Sequence, residues 1–297
     1  GIQHTAVGNY ALDENTTGSY NSAFGFSALG TNTTGTYNAA FARYALRYNT
    51  TGAQNTGLGQ GALAANTTAS NNTAVGYLSL TANTTGAGSA ALGHSALLGN
   101  TTGTYNVAVG YYAGSNITTG SNNVAIGRLA GGGIEAVSGC IAIGYNALSS
   151  NSANTGSGNE NISIGDSSML YMEGTKNIAV GSDALYTATT ADSNVAIGHQ
   201  ALYSNTTANN NTAVGYAALQ ANTTAGNQTA CGRLALNSNT TGYENTAVGA
   251  LALEDNTTGG SCVAVGVNAL SSNTTATENT AVGHQSLYAN TTGIHNT

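Results

Sequence analysis

His4-Thr5-Ala6-Val7-Gly8 is the first copy of a pentad that decides the fold, because variants of it follow every 17 residues along the chain. The next copy is Asn21 to Gly25, and the series continues at this spacing as far as Cys140 to Gly144. After an irregular patch the same spacing returns at Asn177 and runs to Asn279. A short period maintained along a whole chain predicts a solenoid, in which each repeat forms one coil that stacks on its neighbours.

Each repeat reads as one strand followed by turns. The second and fourth pentad residues are Thr, Val, Ile, Leu or Phe, as at Thr73 and Val75, and this alternation is typical of a β-strand. An Ala-Leu pair such as Ala62-Leu63 follows, and Asn-Thr-Thr-Gly, as at Asn32 to Gly35, supplies turn residues. We therefore predict an all-β parallel β-solenoid, or β-roll, of about 17 coils in 297 residues, with the second and fourth pentad residues stacked inside.

The third pentad residue forms a column of small side chains. It is Ala in nearly every repeat, although an exposed face of a solenoid should be polar. Either the coil is so thin that its two sides touch, or this column packs against identical chains around a fibre axis. We favour the second alternative and predict a homo-oligomer whose contact column is Ala6, Ala23, Ala74, Ala125, Ala213 and Ala281.

The spacing also predicts how the chain is organised. Residues 1–148 and 177–297 are regular coils, residues 149–176 form an irregular coil or insertion, and all belong to one continuous repeat domain cut from a longer protein. Insertions in solenoids map to loops that often bind partners, although a tolerated surface bulge is the simpler alternative. The predicted contact loop consists of Met169, Leu170, Tyr171, Met172 and Lys176, with the four residues from Met169 to Met172 as an exposed apolar patch.

Composition disfavours several classes of partner. Only 6% of the residues are charged and the net charge is −7, with five Lys and Arg in total, so nucleic acid and anionic membrane surfaces are poor partners. No apolar stretch approaches the length of about 20 residues that spans a bilayer. The β-branched residues and the absence of Pro also disfavour a disordered chain.

Reactive side chains are scattered along the repeat, so we predict no catalytic residue, cofactor or metal site. His94, His199 and His284 follow the pentad Gly, in a slot that Tyr and Arg also occupy, which indicates a surface position. Cys231 occupies a slot that we expect to be buried. Cys140 and Cys262 are about seven coils apart, too far for a bond within one chain, so bridges between identical chains stay open for them.

The Asn-Thr-Thr segments match the acceptor pattern for N-linked glycans, but we expect them to serve the turn. Rows of Thr could also bind ice. Such faces need outward Thr-x-Thr pairs, whereas adjacent residues such as Thr16 and Thr17 point to opposite sides of a strand, which disfavours ice binding.

Asn72 to Gly76 and Asn123 to Gly127, each followed by a short apolar element, resemble the head repeats of YadA-type trimeric autotransporter adhesins. Related repeats occur in phage tail fibres and in surface proteins of gliding bacteria. The resemblance implies a left-handed parallel β-roll, assembled as a homotrimer or higher, on a cell surface or virion tail fibre. It also implies attachment to host or prey cells or to glycans. We therefore predict a non-enzymatic segment of an extracellular fibre or adhesin; the alternative is an isolated solenoid that binds glycans, at the irregular coil or along a Tyr row, or ice.

Overall fold

The computed structural model describes residues 1–149 and 158–297 and contains two compact units, Gly1–Asn146 and Ala147–Thr297. The described residues form seventeen strands of three residues each and no α-helix. The first unit contains β1 (Thr5–Val7), β2 (Ser22–Phe24), β3 (Ala39–Phe41), β4 (Thr56–Leu58), β5 (Thr73–Val75), β6 (Ala90–Leu92), β7 (Val107–Val109), β8 (Val124–Ile126) and β9 (Ile141–Ile143). The second contains β10 (Ile162–Ile164), β11 (Ile178–Val180), β12 (Val195–Ile197), β13 (Thr212–Val214), β14 (Thr229–Cys231), β15 (Thr246–Val248), β16 (Val263–Val265) and β17 (Thr280–Val282).

Within each unit every strand pairs in parallel with the next, which confirms the predicted all-β solenoid with a 17-residue repeat. Thr73 is paired with Ala90, for example, 17 residues later. The irregular segment joins the same sheet, because Ile162 pairs with Ile178 after a shortened coil of 16 residues. Residues 158–176 of the predicted insertion therefore form a coil of the second unit, and residues 150–157 lie outside the described residues.

The Ala-Leu segment is not a strand, yet its backbone still joins neighbouring coils. The N–H of Ser27 donates to the preceding coil at Asn9 O (2.9 Å), and the N–H of Leu29 donates to the following coil at Ala45 O (3.1 Å). Ser27 and Leu29 have φ angles of 53° and 50°, in the left-handed region. A left-handed L-residue costs about 1–2 kcal/mol, so hydrogen bonds between coils must offset this cost throughout each unit.

The Ala column lies inside the coil, so the prediction that it faces another chain is wrong. Ala23, Ala74, Ala125 and Ala213 are fully buried within the single chain and Ala281 nearly so, while Ala6, in the first strand, is exposed. A Cβ atom built at Gly57, which interrupts this column, would lie 3.2 Å from Ala62 O and 3.4 Å from Leu46 Cγ. The space across the coil holds a methyl group and little more, which is the thin-coil alternative.

Candidate interaction surfaces

The first and third residues of each strand point away from the interior and form what we call the outer sheet face. Leu58, Leu92 and Ile126 expose 46%, 51% and 38% of their surface, so the prediction that these positions stack inside the coil is wrong. The reason is the alternation itself, since Ala fills the thin interior and its two neighbours must point outward. The third residues of β1 to β9 are Val7, Phe24, Phe41, Leu58, Val75, Leu92, Val109, Ile126 and Ile143.

The outer sheet face is apolar and uncharged. The third residues of β10 to β17 are also apolar or sulfur-containing, and the first residues are Thr, Ser, Ala, Val or Ile, with no charged side chain at either position in any strand. Phe24 and Phe41 stack on this face with ring centroids 4.8 Å apart. With coils about 4.8 Å apart and two outward side chains per strand, each coil adds about 50 Å² to the face. The nine strands of the first unit thus present an open apolar strip of about 400 Å².

The turn asparagines are buried and form a hydrogen-bonded ladder. Asn66 Nδ2 donates to Asn49 Oδ1 of the preceding coil (2.7 Å) and to Ala69 O of its own turn (3.0 Å), and Asn83 Nδ2 donates to Asn66 Oδ1 (2.9 Å). A second ladder, at the first pentad position, reaches the same turn, since Asn55 Nδ2 also donates to Ala69 O (2.8 Å). These bonds confirm that Asn serves the turn, and a glycan on Asn66 would displace both of its amide hydrogen bonds.

The turn ladder stops where two coils change their core. Asn100 is its last member in the first unit, and its Oδ1 accepts a longer bond from Asn106 Nδ2 (3.3 Å). The next two coils place the fully buried Ile117 and Ile134 at the Asn position. In the same two coils Gly114 and Gly131 replace the buried Leu, and the isoleucines fill the space that this Leu leaves.

The predicted contact loop is largely interior. Met169 and Met172 are fully buried, so an exposed apolar patch from Met169 to Met172 is wrong. Met169 occupies the position that Leu holds in other coils, with φ at 49°, and Met172 occupies the turn Asn position. Of the five predicted residues only Tyr171 and Lys176 are exposed, and Leu170 is half-buried.

The slot after the pentad Gly is exposed, as predicted. His94 lies between Tyr77 and Tyr111 of adjacent coils, 5.1 Å from each ring centroid. Elsewhere Tyr186 and Tyr203 stack with an interplanar angle of 1°. Rings stacked from coil to coil turn their faces toward each other, which is unfavourable for stacking against a sugar. Among residues 1–149 and 158–297, no group of His, Cys, Asp and Glu is arranged to hold a metal ion.

The three thiols lie where sequence analysis did not place them. Cys231 is exposed on the outer sheet face, so the prediction of a buried slot is wrong. Cys140 and Cys262 are fully buried and cannot reach a neighbouring chain without opening the coil, which contradicts a bridge between chains. Burial raises the pKa of the Cys262 thiol above its ordinary value.

Comparison with known proteins leaves the chain without a family. No family model matches it, and no curated protein matches it. Within the described part of the chain, no helix is long and apolar enough to cross a membrane. Function must therefore be inferred from the surfaces themselves.

Proposed function

We propose that the chain is a structural segment of a homo-oligomeric extracellular fibre or surface appendage, in which copies pack through their outer sheet faces. The observation that carries this proposal is the continuous column of exposed apolar third residues. An open apolar strip of about 400 Å² in one unit is as large as the largest patch on most monomers, and such patches usually mark interaction sites. As in the adhesins and tail fibres that the repeats resemble, the assembled rod would support attachment to cells or surfaces.

A second copy suits this face better than other partners do. The face has no charged residue, so identical faces meet without electrostatic repulsion. A stable interface buries about 800 Å² on each partner, which at about 50 Å² per coil requires about 16 coils. The interface then grows with length, as expected of a shaft.

Ice binding, the alternative from another class, is less favoured. An ice-binding face needs a flat and regular array of hydroxyl groups. Here the first strand residues alternate among types, with Ala39, Val107 and Ile141 interrupting the Thr column, and the stacked rings of Phe24 and Phe41 stand on the same face.

The test is the oligomeric state of the purified protein, measured by sedimentation and by cryo-EM. We expect an assembly that Val109→Glu/Ile126→Glu converts to monomers, because two carboxylates would be buried at the interface. The matched control is Thr68→Glu/Thr85→Glu, which adds the same charge to adjacent coils at exposed turn positions and should leave the assembly intact.

Cys231 reports on the same face without a mutation. In the assembly it should react slowly with a thiol reagent, and in the monomeric variant quickly. A monomeric wild-type protein, or an assembly that tolerates both glutamates on the outer sheet face, would contradict the proposal.

A further inference from the structure

Two of the five basic residues of the chain lie in a single coil. Arg43 Cζ is 4.3 Å from the ring centroid of Tyr44, and Arg47 Cζ is 4.6 Å from the same centroid and 4.8 Å from that of Tyr48. The one ion pair found among the described residues joins His295 to Glu278 elsewhere, so neither guanidinium is neutralised by a carboxylate. In a chain of net charge −7, two unneutralised cations on one ring form a local site for an anion.

We call Arg43, Tyr44, Arg47 and Tyr48 the arginine ridge, because it stands above both neighbouring coils. The backbone of the ridge is hydrogen-bonded to the next coil, through Gly61 N–H to Arg43 O (3.0 Å) and Tyr48 N–H to Ala64 O (3.0 Å). At the matching positions the neighbouring coils carry small side chains. These are Ser27, Gly30 and Thr31 on one side and Gly61, Ala64 and Ala65 on the other.

These backbone bonds also restrict the class of partner. A peptide that binds by strand addition needs a free row of N–H and C=O groups. Here the carbonyls of Arg43 and Arg47 already accept bonds from the adjoining coils, as does the carbonyl of Phe26 from Tyr44 N–H (3.0 Å). A ligand must therefore be recognised by side chains alone, in a shallow groove open at both ends.

We propose that the arginine ridge binds the carboxylates of an acidic oligosaccharide of the uronate type. A guanidinium presents a planar fork that matches a carboxylate, and it is weakly hydrated for a cation. Phe26, whose ring meets Tyr44 edge to face at 5.6 Å, is 40% exposed, and Tyr48 is 45% exposed. These rings offer apolar contact to the carbon faces of a sugar, and the open groove suits an extended chain of sugars. The site uses one chain only and does not depend on the assembly proposed above.

The experiment is calorimetric titration of the full chain with a galacturonate oligomer, at low and at physiological ionic strength. Arg43→Gln/Arg47→Gln should weaken binding about tenfold or more, the loss expected when charge-assisted hydrogen bonds are removed. The matched control, Arg128→Gln/Arg233→Gln, removes the same charge from the slot that Arg43 occupies in two other coils, and should change the affinity less than about twofold, because rim charges contribute little. Arg43→Lys/Arg47→Lys keeps the charge but loses the forks, so its affinity should fall between the two.

Three outcomes would overturn the proposal: equal weakening in the Arg128/Arg233 control, equal binding of a neutral oligosaccharide, or wild-type binding by the Arg43/Arg47 variant. Sulfated oligosaccharide bound in place of the uronate would also overturn it. Thermal unfolding of each variant establishes that the exposed substitutions leave the fold intact. Repeating the titration on Val109→Glu/Ile126→Glu separates the two proposals, because uronate binding should persist in that variant whether or not the wild-type protein assembles.

Discussion

Gly114 and Ile117 should be strongly coupled, because together they replace the Leu and Asn that the other coils use. A Cβ atom at Gly114 would lie 3.0 Å from Ile117 Cδ1 and 3.1 Å from Leu97 Cδ2, so a larger residue has no room while Ile117 remains. Gly114 has φ at +58°, close to the 52° of Leu97, so the backbone there already suits the Leu of other coils. The obstacle to Leu at this position is therefore packing.

The three variants differ in predicted cost. Gly114→Leu alone overpacks the coil and should destabilise it by about 1–3 kcal/mol, plus about 1 kcal/mol for a side chain in the left-handed region. Ile117→Asn alone removes a fully buried side chain and should cost about 2–4 kcal/mol. The double variant restores the pair used elsewhere, with the new amide placed to donate to Asn100 Oδ1. Its cost should be about 1 kcal/mol, which makes the coupling energy about 3 kcal/mol.

Native-state hydrogen exchange is the suitable assay, because stacked repeats unfold locally and a single global transition is not assured. The amide of Leu97, bonded to Ala113 O at 2.9 Å, and the amide of Gly114, bonded to Ala130 O at 2.8 Å, report on the two sides of the altered coil. Thr102→Ala, at an exposed turn position, is the control. If protection in the double variant falls by the sum of the two single losses, the compensation inferred from the structure does not exist.

Three further predictions test the ladders and the outer face. Asn66→Ala should cost about 2–4 kcal/mol in local exchange stability, because it removes two hydrogen bonds and leaves a buried amide without its acceptor, whereas the exposed Thr68→Ala should cost less than about 0.5 kcal/mol. Cys262→Asn should stabilise the protein by about 1 kcal/mol in chemical denaturation, since the N–H of Asn279 gains the acceptor that other coils supply. Because burial raises the pKa of the Cys262 thiol above its ordinary 9.0, the stability that the neutral thiol contributes is present below that pH and is lost as the pH rises. Thermal unfolding of wild type should therefore weaken more steeply than that of Cys262→Asn above pH 9.0. Under native conditions in the monomeric variant, mass spectrometry should find label on Cys231 and none on the other two thiols.

The period and the strand could be predicted from sequence, but the sense of the strand could not. Alternation in Thr73-Ala74-Val75 defines two faces without saying which one is interior, and we assigned the larger side chains to the core. The better signal was tolerance of size. The Ala74 column admits only Gly, Ala and Ser, while the Val75 column admits Val, Ile, Leu, Phe and Cys. An interior closed by a 17-residue coil restricts volume, and a surface does not.

Other features were legible only with the coordinates or with closer alignment of the repeats. The joint change at Gly114 and Ile117 is visible in sequence once coils are aligned beyond the pentad. The shortened coil hid the fact that Met169 and Met172 fall on core positions. The arginine ridge was missed because Arg43 and Arg47, four residues apart, converge only through the left-handed turn at Tyr44, whose φ is 64°. Backbone angles of that kind in Tyr and Leu have no reliable sequence signal.

The inverted arrangement of side chains connects the fold to the proposed assembly. The interior is thin and contains Ala, Leu and hydrogen-bonded Asn, so much of the apolar surface of each coil, as at Leu92, stays outside. Covering about 50 Å² per coil would contribute about 1.2 kcal/mol per coil at about 25 cal/mol per Å². That gain accumulates with each coil, whereas the entropic cost of association is incurred once. A long repeat array with this outer face should therefore associate more strongly than a short one, and removing coils should weaken the assembly before it unfolds the coils that remain.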